Sequence, residues 1–268
     1  MKIIRFLIDN GDMCYGTPAD TGKANLIRGD IFGDFAITNE IIAIRKLLAP
    51  IAPAQILGTG LNYRRHAKEG GMPIPEYPVL FVKGLNTLQH PGDPIVIPKH
   101  LQSDKVDYEC EFAVVIGKTC KNASRSEALD YVLGYTCAND VSARDWQLEH
   151  GGGQWCRGKF FDTFTPLGPQ LITKDELPAP NHLQIKTILN GEVKQDWNTN
   201  DMIFDVPALI EFFSGSTTLL PGTVILTGTP HGVGMAQQPP RWLRPGDEVT
   251  IEIENIGRLT NPVVDEEN

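Results

Sequence analysis

The residues best placed to do chemistry lie in the run Asp107-Tyr108-Glu109-Cys110-Glu111-Phe112-Ala113-Val114-Val115-Ile116-Gly117. Side chains along a strand alternate faces, so Glu109 and Glu111 point to one side and Cys110, Phe112 and Val114 to the other. The run then becomes apolar on both faces, as a central strand does. Two carboxylates on one side of a strand entering a core repel each other and are costly to desolvate, so something cationic should sit between them. A second apolar run, Leu133 to Ala138, ends in Asn139-Asp140 and delivers a third carboxylate. Glu109, Glu111 and Asp140, with no histidine or thiol among them, suit a hard divalent cation: Mg²⁺ first, Mn²⁺ or Ca²⁺ behind it. Spacing alone leaves a second reading open, in which Glu109 and Glu111 lie on an exposed face and pair with Lys105 and Lys118.

Other groups fit around this cluster. His66 and Glu69 are spaced i, i+3, so on one helical turn they can hydrogen-bond, orienting the ring and raising its basicity. Such a pair can activate water as a general base; it is equally compatible with a surface histidine beside a routine neighbour. Arg64 to Gly71 has few apolar residues and reads as a surface segment or lid. Ser142 to Gln147 follows Asp140 directly, and as a helix it would put Asp140, Arg144 and Gln147 on one face. Arg144 could then hold a substrate carboxylate, with Gln147 adding a neutral hydrogen bond; a helix cap with a salt bridge is the plainer alternative. Lys159 sits in the aromatic-rich run Gly158-Lys159-Phe160-Phe161-Asp162, where a partly buried lysine needs an anionic partner.

Three glycine clusters invite other readings. Gly58-Thr59-Gly60 follows an apolar strand, but Tyr63 stands where a dinucleotide fingerprint has its third glycine, and no βαβ unit follows. Gly151-Gly152-Gly153 lacks the lysine of a phosphate loop and reads as a flexible connection. Gly228-Thr229-Pro230-His231-Gly232 follows a buried strand and could bring backbone close to a ligand.

Many short strands have to position these groups. Candidates are 55–58, 78–82, 94–97, 108–117, 132–138, 182–189, 223–227 and 248–254, with Asn190-Gly191 as a hairpin turn. Helices are expected at 124–131, 142–149 and 206–213, the last capped by Asp205. Residues 1–52 read as a small N-terminal domain with a strand at 2–8 and an amphipathic helix at 38–48, closed by Pro50 and Pro53; residues 53–268 form the catalytic part. The pattern predicts a β-rich α+β fold. A net charge of −9 argues against a nucleic-acid partner. Five cysteines, an odd number with no C-x-x-C pair, argue against a disulfide framework and for a reducing, cytoplasmic compartment. No apolar stretch is long enough to span a membrane.

Taken in order, H-x-x-E at His66, E-x-E at Glu109, N-D-x-S-A-R-D-x-Q from Asn139, G-K-x-F-D-T-F-x-P-L-G-P from Gly158 and L-T-G-T-P from Leu226 resemble the fumarylacetoacetate hydrolase superfamily. The resemblance runs from about Gln55 to Pro262 and is nearest to the domain-containing proteins of bacteria and mitochondria. It implies a mixed β-sandwich roll, a homodimer and Mg²⁺ or a similar ion on Glu109, Glu111 and Asp140. It also implies a water-activating pair, His66 and Glu69, on a lid, and substrate contacts at Tyr63, Arg144, Gln147, Lys159 and Thr229. Phe160 replaces the small residue usual after Gly158-Lys159. The expected substrate is a small anionic 2-oxo acid or its enol. The leading expectation is C–C hydrolysis of an acylpyruvate or fumarylacetoacetate-like compound. Oxaloacetate tautomerisation, 2-oxo-dicarboxylate decarboxylation and isomerisation of 2-hydroxyhepta-2,4-diene-1,7-dioate are the alternatives, with a non-catalytic metal-binding protein of the same fold behind them.

Overall fold

The apolar alternation around the acidic run builds the centre of a large mixed sheet. In the computed structural model, which describes residues 1–267, the chain begins with β1 (Lys2–Leu7), β2 (Met13–Pro18), β3 (Lys23–Gly29), β4 (Phe35–Ala43) and β5 (Lys46–Leu48). Next come β6 (Gln55–Gly60), the short helix α1 (Arg64–Glu69), β7 (Val79–Lys83), β8 (Leu88–Gln89), β9 (Ile95–Ile97) and β10 (Val106–Asp107). The middle of the chain gives β11 (Cys110–Ile116), β12 (Val132–Asn139), β13 (Ser142–Ala143) and β14 (Thr165–Thr173). The remainder is β15 (Gln184–Leu189), β16 (Glu192–Asn198), helix α2 (Val206–Ser214), β17 (Thr223–Leu226), β18 (Glu248–Ile253) and β19 (Gly257–Asp265).

The main sheet runs β4-β3-β2-β1-β14-β12-β11-β17-β6-β7, with β5 also on β1 and β8 also on β14. A second sheet runs β16-β15-β18-β19-β9 and covers one face of the first. Phe112 and Val114 of β11 and Tyr135 and Cys137 of β12 share one core with Ile185, Val249 and Ile251 of the second sheet. The opposite face of β11, Ala113 and Val115, packs with Ile56, Val224 and Leu226 in another. Glu111 lies on that small-residue side, where there is room for a site. The fold is thus the β-rich α+β arrangement expected. Asn190-Gly191 turns β15 into β16, and Asp205 caps α2 by accepting the Ala208 N–H.

Several local expectations fail. Residues 38–48 are not helical: β4 and β5 occupy them, and β4 pairs with β3 from Lys23 opposite Ala43 to Gly29 opposite Phe35. The β-branched residues Ile37, Thr38, Ile41, Ile42 and Ile44 fit a pleated ribbon better than a helix. β1 pairs with β14, Lys2 opposite Ile172, so the N-terminal strands continue the main sheet. Of 124–131 only Ala128–Tyr131 is helical, as a single 3₁₀ turn. The expected helix 142–149 splits into β13, which pairs with β10, and a π-helical turn over Asp145–Glu149. All five cysteines are free. Among the described residues no helix is long and apolar enough to cross a membrane.

Candidate active site

Glu109, Glu111 and Asp140 converge where β11 and β12 begin and end. Each offers a carboxylate oxygen, and the three lie within 4.8 Å of one another. Cys110 pairs with Asn139, and the Asp140 N–H donates to the Glu109 carbonyl at 3.0 Å, so the two strand ends are locked in register. All three are buried, Glu109 being 5% and Glu111 1% exposed, which removes the exposed, salt-bridged alternative. Lys105 pairs instead with Glu149 at 2.5 Å.

The cations that answer these carboxylates come from other elements. Lys159 Nζ lies 2.7 Å from Glu109 Oε2 and 2.5 Å from Asp140 Oδ2. Lys83 Nζ, from the end of β7, lies 2.5 Å from Asp140 Oδ1. Arg144 Nη1 lies 2.8 Å from Glu109 Oε1 and donates to Gln147 Oε1 at 2.9 Å, while Nε donates to Asp107 Oδ2 at 2.9 Å. Burial pushes the Glu109 carboxyl up, but Lys159 and Arg144 overcome it and hold the group below the usual carboxylate range. Among the described residues Glu111 has no cation of its own and accepts only the Gly228 N–H, at 2.6 Å. Burial, then the charges of Asp140 and Glu109, push it well above the ordinary value. Burial pulls the Lys83 ammonium down, with Asp140 opposing. The Lys159 ammonium is held up against burial by Asp140 and Glu109.

Four buried carboxylates, Asp107, Glu109, Glu111 and Asp140, face three buried cations, Lys83, Arg144 and Lys159. The unmatched charge falls beside Glu111, inside the triad. A hard divalent cation fits that donor set and that deficit. It would also turn the local balance positive, ready for an anionic ligand.

A cavity of about 170 Å³ opens over the cluster. Of the residues singled out from sequence, His66, Glu109, Glu111, Arg144, Gln147, Lys159 and Thr229 border it. His66 comes from α1, with Nδ1 3.3 Å from Glu69 Oε2. Glu69 lies behind the ring and also accepts the Gly232 N–H on both oxygens, at 2.9 and 3.1 Å. Thr229 Oγ1 is held by Gln195 Nε2 at 2.9 Å. Tyr63 is fully buried in the core beneath and does not border the cavity. Asp140, Arg144 and Gln147 do not share a helix face; Arg144 reaches Gln147 through its side chain alone. On the cavity wall, buried Thr59 Oγ1 has no hydrogen-bond partner among the described residues, while Arg144 Nη2 lies 2.9 Å from Asp107 Oδ2. Buried polar atoms are rarely left without a partner, and Thr59 Oγ1 is open to a ligand.

Sequence reasoning missed Lys83, Asp107 and the cavity's apolar wall, including Phe81 and Trp155. Lys83 carried a signal of the kind read at Lys159, a lone lysine closing the apolar run Val79-Leu80-Phe81-Val82. Asp107 holds Arg144 from one side and accepts the Gly234 and Met235 N–H groups, at 2.7 and 3.0 Å, from the other.

A family model described as fumarylacetoacetate (FAA) hydrolase, C-terminal, matches residues 55–264. A mitochondrial oxaloacetate tautomerase of Xenopus laevis is 49% identical over 219 residues, covering 81% of this chain and 68% of that protein. Among solved structures, a 5-carboxymethyl-2-hydroxymuconate delta-isomerase from Mycobacterium smegmatis superposes with a TM-score of 0.86 at 38% identity, covering 99% of this chain and all of that one. A 2-hydroxyhepta-2,4-diene-1,7-dioate isomerase from Mycobacterium marinum gives 0.85 at 38% identity, with both chains fully covered.

Proposed function

Because the chain belongs to the fumarylacetoacetate hydrolase family, we propose that it is a metal-dependent enzyme interconverting the enol and keto forms of oxaloacetate. The observation that carries this reading is the cavity. At about 170 Å³ it is well below the ~300 Å³ at which pockets for drug-sized ligands begin, and it suits a short 2-oxo dicarboxylate. Similarity to an oxaloacetate tautomerase supports it over C–C hydrolysis, the reading that the sequence put first.

Glu109, Glu111 and Asp140 would hold the divalent ion, Mg²⁺ before Mn²⁺ or Ca²⁺, which supplies a Lewis acid for the carboxylate and 2-oxo oxygens of such a substrate. The reaction moves one proton, off the enol oxygen and onto C3. Lys159 stays protonated and faces the charge that gathers on that oxygen. Thr59 Oγ1 has hydrogen-bonding capacity left for a substrate carboxylate, and Arg144, on the cavity's border, adds positive charge there. His66 is the group that carries this proton: with Nδ1 turned to Glu69, its Nε2 is left for the cavity, where it would take the proton from the enol oxygen and return it to C3. Phe81 and Trp155 keep bulk water from the reacting carbon.

The His66–Glu69 contact also suits activation of water, so acylpyruvate hydrolysis is the second reading. One experiment separates the two. Enol decay of oxaloacetate and cleavage of acylpyruvates are followed with and without Mg²⁺, in the parent chain and in His66→Ala. The expected result is Mg²⁺-dependent enol decay without cleavage, slowed about a hundredfold or more by His66→Ala. Cleavage outpacing tautomerisation would reverse the order of the readings. We further infer a homodimer without nucleic-acid partners, and a reducing compartment for its five free cysteines.

A further inference from the structure

We propose that Trp155 and Phe81, seated on the two glycines of Gly58-Thr59-Gly60, set the longest substrate the site accepts, at a four-carbon 2-oxo dicarboxylate. This rests on the 2-oxo acid reading above and names the part of the site that selects among such acids.

Gly58 and Gly60 lie on one face of β6, two residues apart. A Cβ on Gly58 would stand 2.1 Å from Phe81 Cζ, and one on Gly60 would stand 2.2 Å from Trp155 Cζ3. Neither glycine has a positive φ, so no turn demands them. They are needed for space: each admits an aromatic ring against bare backbone. A ring already resting on backbone cannot retreat, which makes this side of the cavity a hard wall. Phe81 is 4% exposed, whereas Met72 and Leu148 on the cavity's border are 48% and 49% exposed and free to give.

The wall is also tied to the charged end of the site. Lys159 Nζ lies 4.8 Å from the Phe81 ring centroid. Trp155 opens the same 3₁₀ turn, Trp155–Lys159, that ends in Lys159, and Gln154 caps that turn by accepting the Cys156 N–H. A substrate held at Lys159 and Arg144 therefore meets rings whose distance from those cations is fixed. In an apolar pocket one methylene is worth about 10- to 200-fold in discrimination, so each carbon beyond the fourth is penalised on that scale.

The test uses the full chain with Mg²⁺ and makes two measurements. Calorimetry gives affinities for oxalate, malonate, succinate, glutarate and adipate. Deuterium exchange at C3, read by NMR, gives turnover for oxaloacetate, 2-oxoglutarate and 2-oxoadipate. In the parent chain affinity is expected to fall by about tenfold or more from succinate to glutarate, with exchange falling in parallel. Trp155→Ala should erase the fall, and Trp155→Leu, which keeps more apolar volume, should reduce it and carries the test if the alanine variant does not fold. A parent that binds adipate as tightly as succinate, or variants that keep the parent's length profile, would overturn the wall. No exchange on oxaloacetate with the binding profile intact would sink the tautomerase reading and leave the wall standing.

Discussion

Four carboxylates against three cations is a balance that one substitution can tip. Lys83→Met leaves Asp140 with Lys159 alone, in a place where neither carboxylate oxygen reaches water. Loss of one partner from a buried ion pair costs about 3–5 kcal/mol, so urea unfolding should show a loss of that order without divalent metal. Mg²⁺ should restore part of it, because the ion returns positive charge to the same carboxylates and binds only the folded chain. A loss of stability that Mg²⁺ leaves untouched would count against the triad as a metal site. Alternation on a strand made Glu109 and Glu111 legible as a same-side pair, but spacing left an exposed face open, and the triad with Asp140 was singled out by the ordered motifs around it. Lys83 and Asp107 were not, since a single charge near a strand end looks the same whether it snorkels to water or turns inward. Only the pairing of β7 with β6, which the sequence does not encode locally, turns Lys83 into the site.

Between strands, the segment from Gly228 to Met235 carries much of the organisation. Gly228 serves Glu111, Gly232 serves Glu69, and Gly234 and Met235 serve Asp107. Helix α1 is held at its other end by Arg65, whose guanidinium lies 3.6 Å from the Trp197 ring centroid. Gly232 has φ +96°, and a Cβ there would lie 2.4 Å from the Lys194 carbonyl. Gly232→Ala is therefore expected to cost about 1–3 kcal/mol in strain. It should also loosen α1, seen as faster amide exchange at Gly70 and Met72 and, on the proposed function, a raised KM for oxaloacetate; unchanged exchange there would show that Glu69 does not depend on this backbone. The strands with clean apolar runs, β6, β11, β12 and β17, were readable to within a few residues. Of the N-terminal ribbon only β1 was, read at 2–8 and found at Lys2–Leu7. In β4 the exposed and half-buried residues do not alternate cleanly, because that strand lies at the sheet's edge. Its register with β3 also shifts between Asn25 and Ile27. The run 142–149 has helical spacing, yet pairing of Val106 with Ala143 competes for its first residues and wins.

Across the whole molecule, the N-terminal strands and the sheet they extend are joined by a contact that is expected to respond to pH. The Ala49 N–H donates to His90 Nδ1 at 3.1 Å, which requires an unprotonated ring nitrogen. Burial lowers the ring's affinity for a proton; Asp93 opposes that, while Lys46 and Arg5 reinforce it. Above about pH 6.5 the ring is neutral both folded and unfolded and contributes nothing. Below it the unfolded chain takes a proton that the folded chain refuses, so stability falls with pH until the folded ring also titrates. Denaturant unfolding between pH 7 and 5 should fall less steeply for His90→Gln than for the parent, and equal slopes would exclude His90 as the sensor. One more property follows from the place of β17. It lies between β11 and β6, and so is the strand that joins the carboxylates to the glycine-seated wall. The carboxylates sit at the adjoining ends of β11 and β12, neighbours in sequence and antiparallel, whereas β17 pairs in parallel with β6, Thr223 opposite Gln55, a separation of 168 residues. Closing that loop is the slower event in conformational search. The ligand set and its junction with the wall should thus have different birthdays during folding: pulse-labelled amides of β11 and β12 are expected to become protected before those of β17, and a chain released before Leu226 is made would carry the carboxylates without the strand that joins them to the wall.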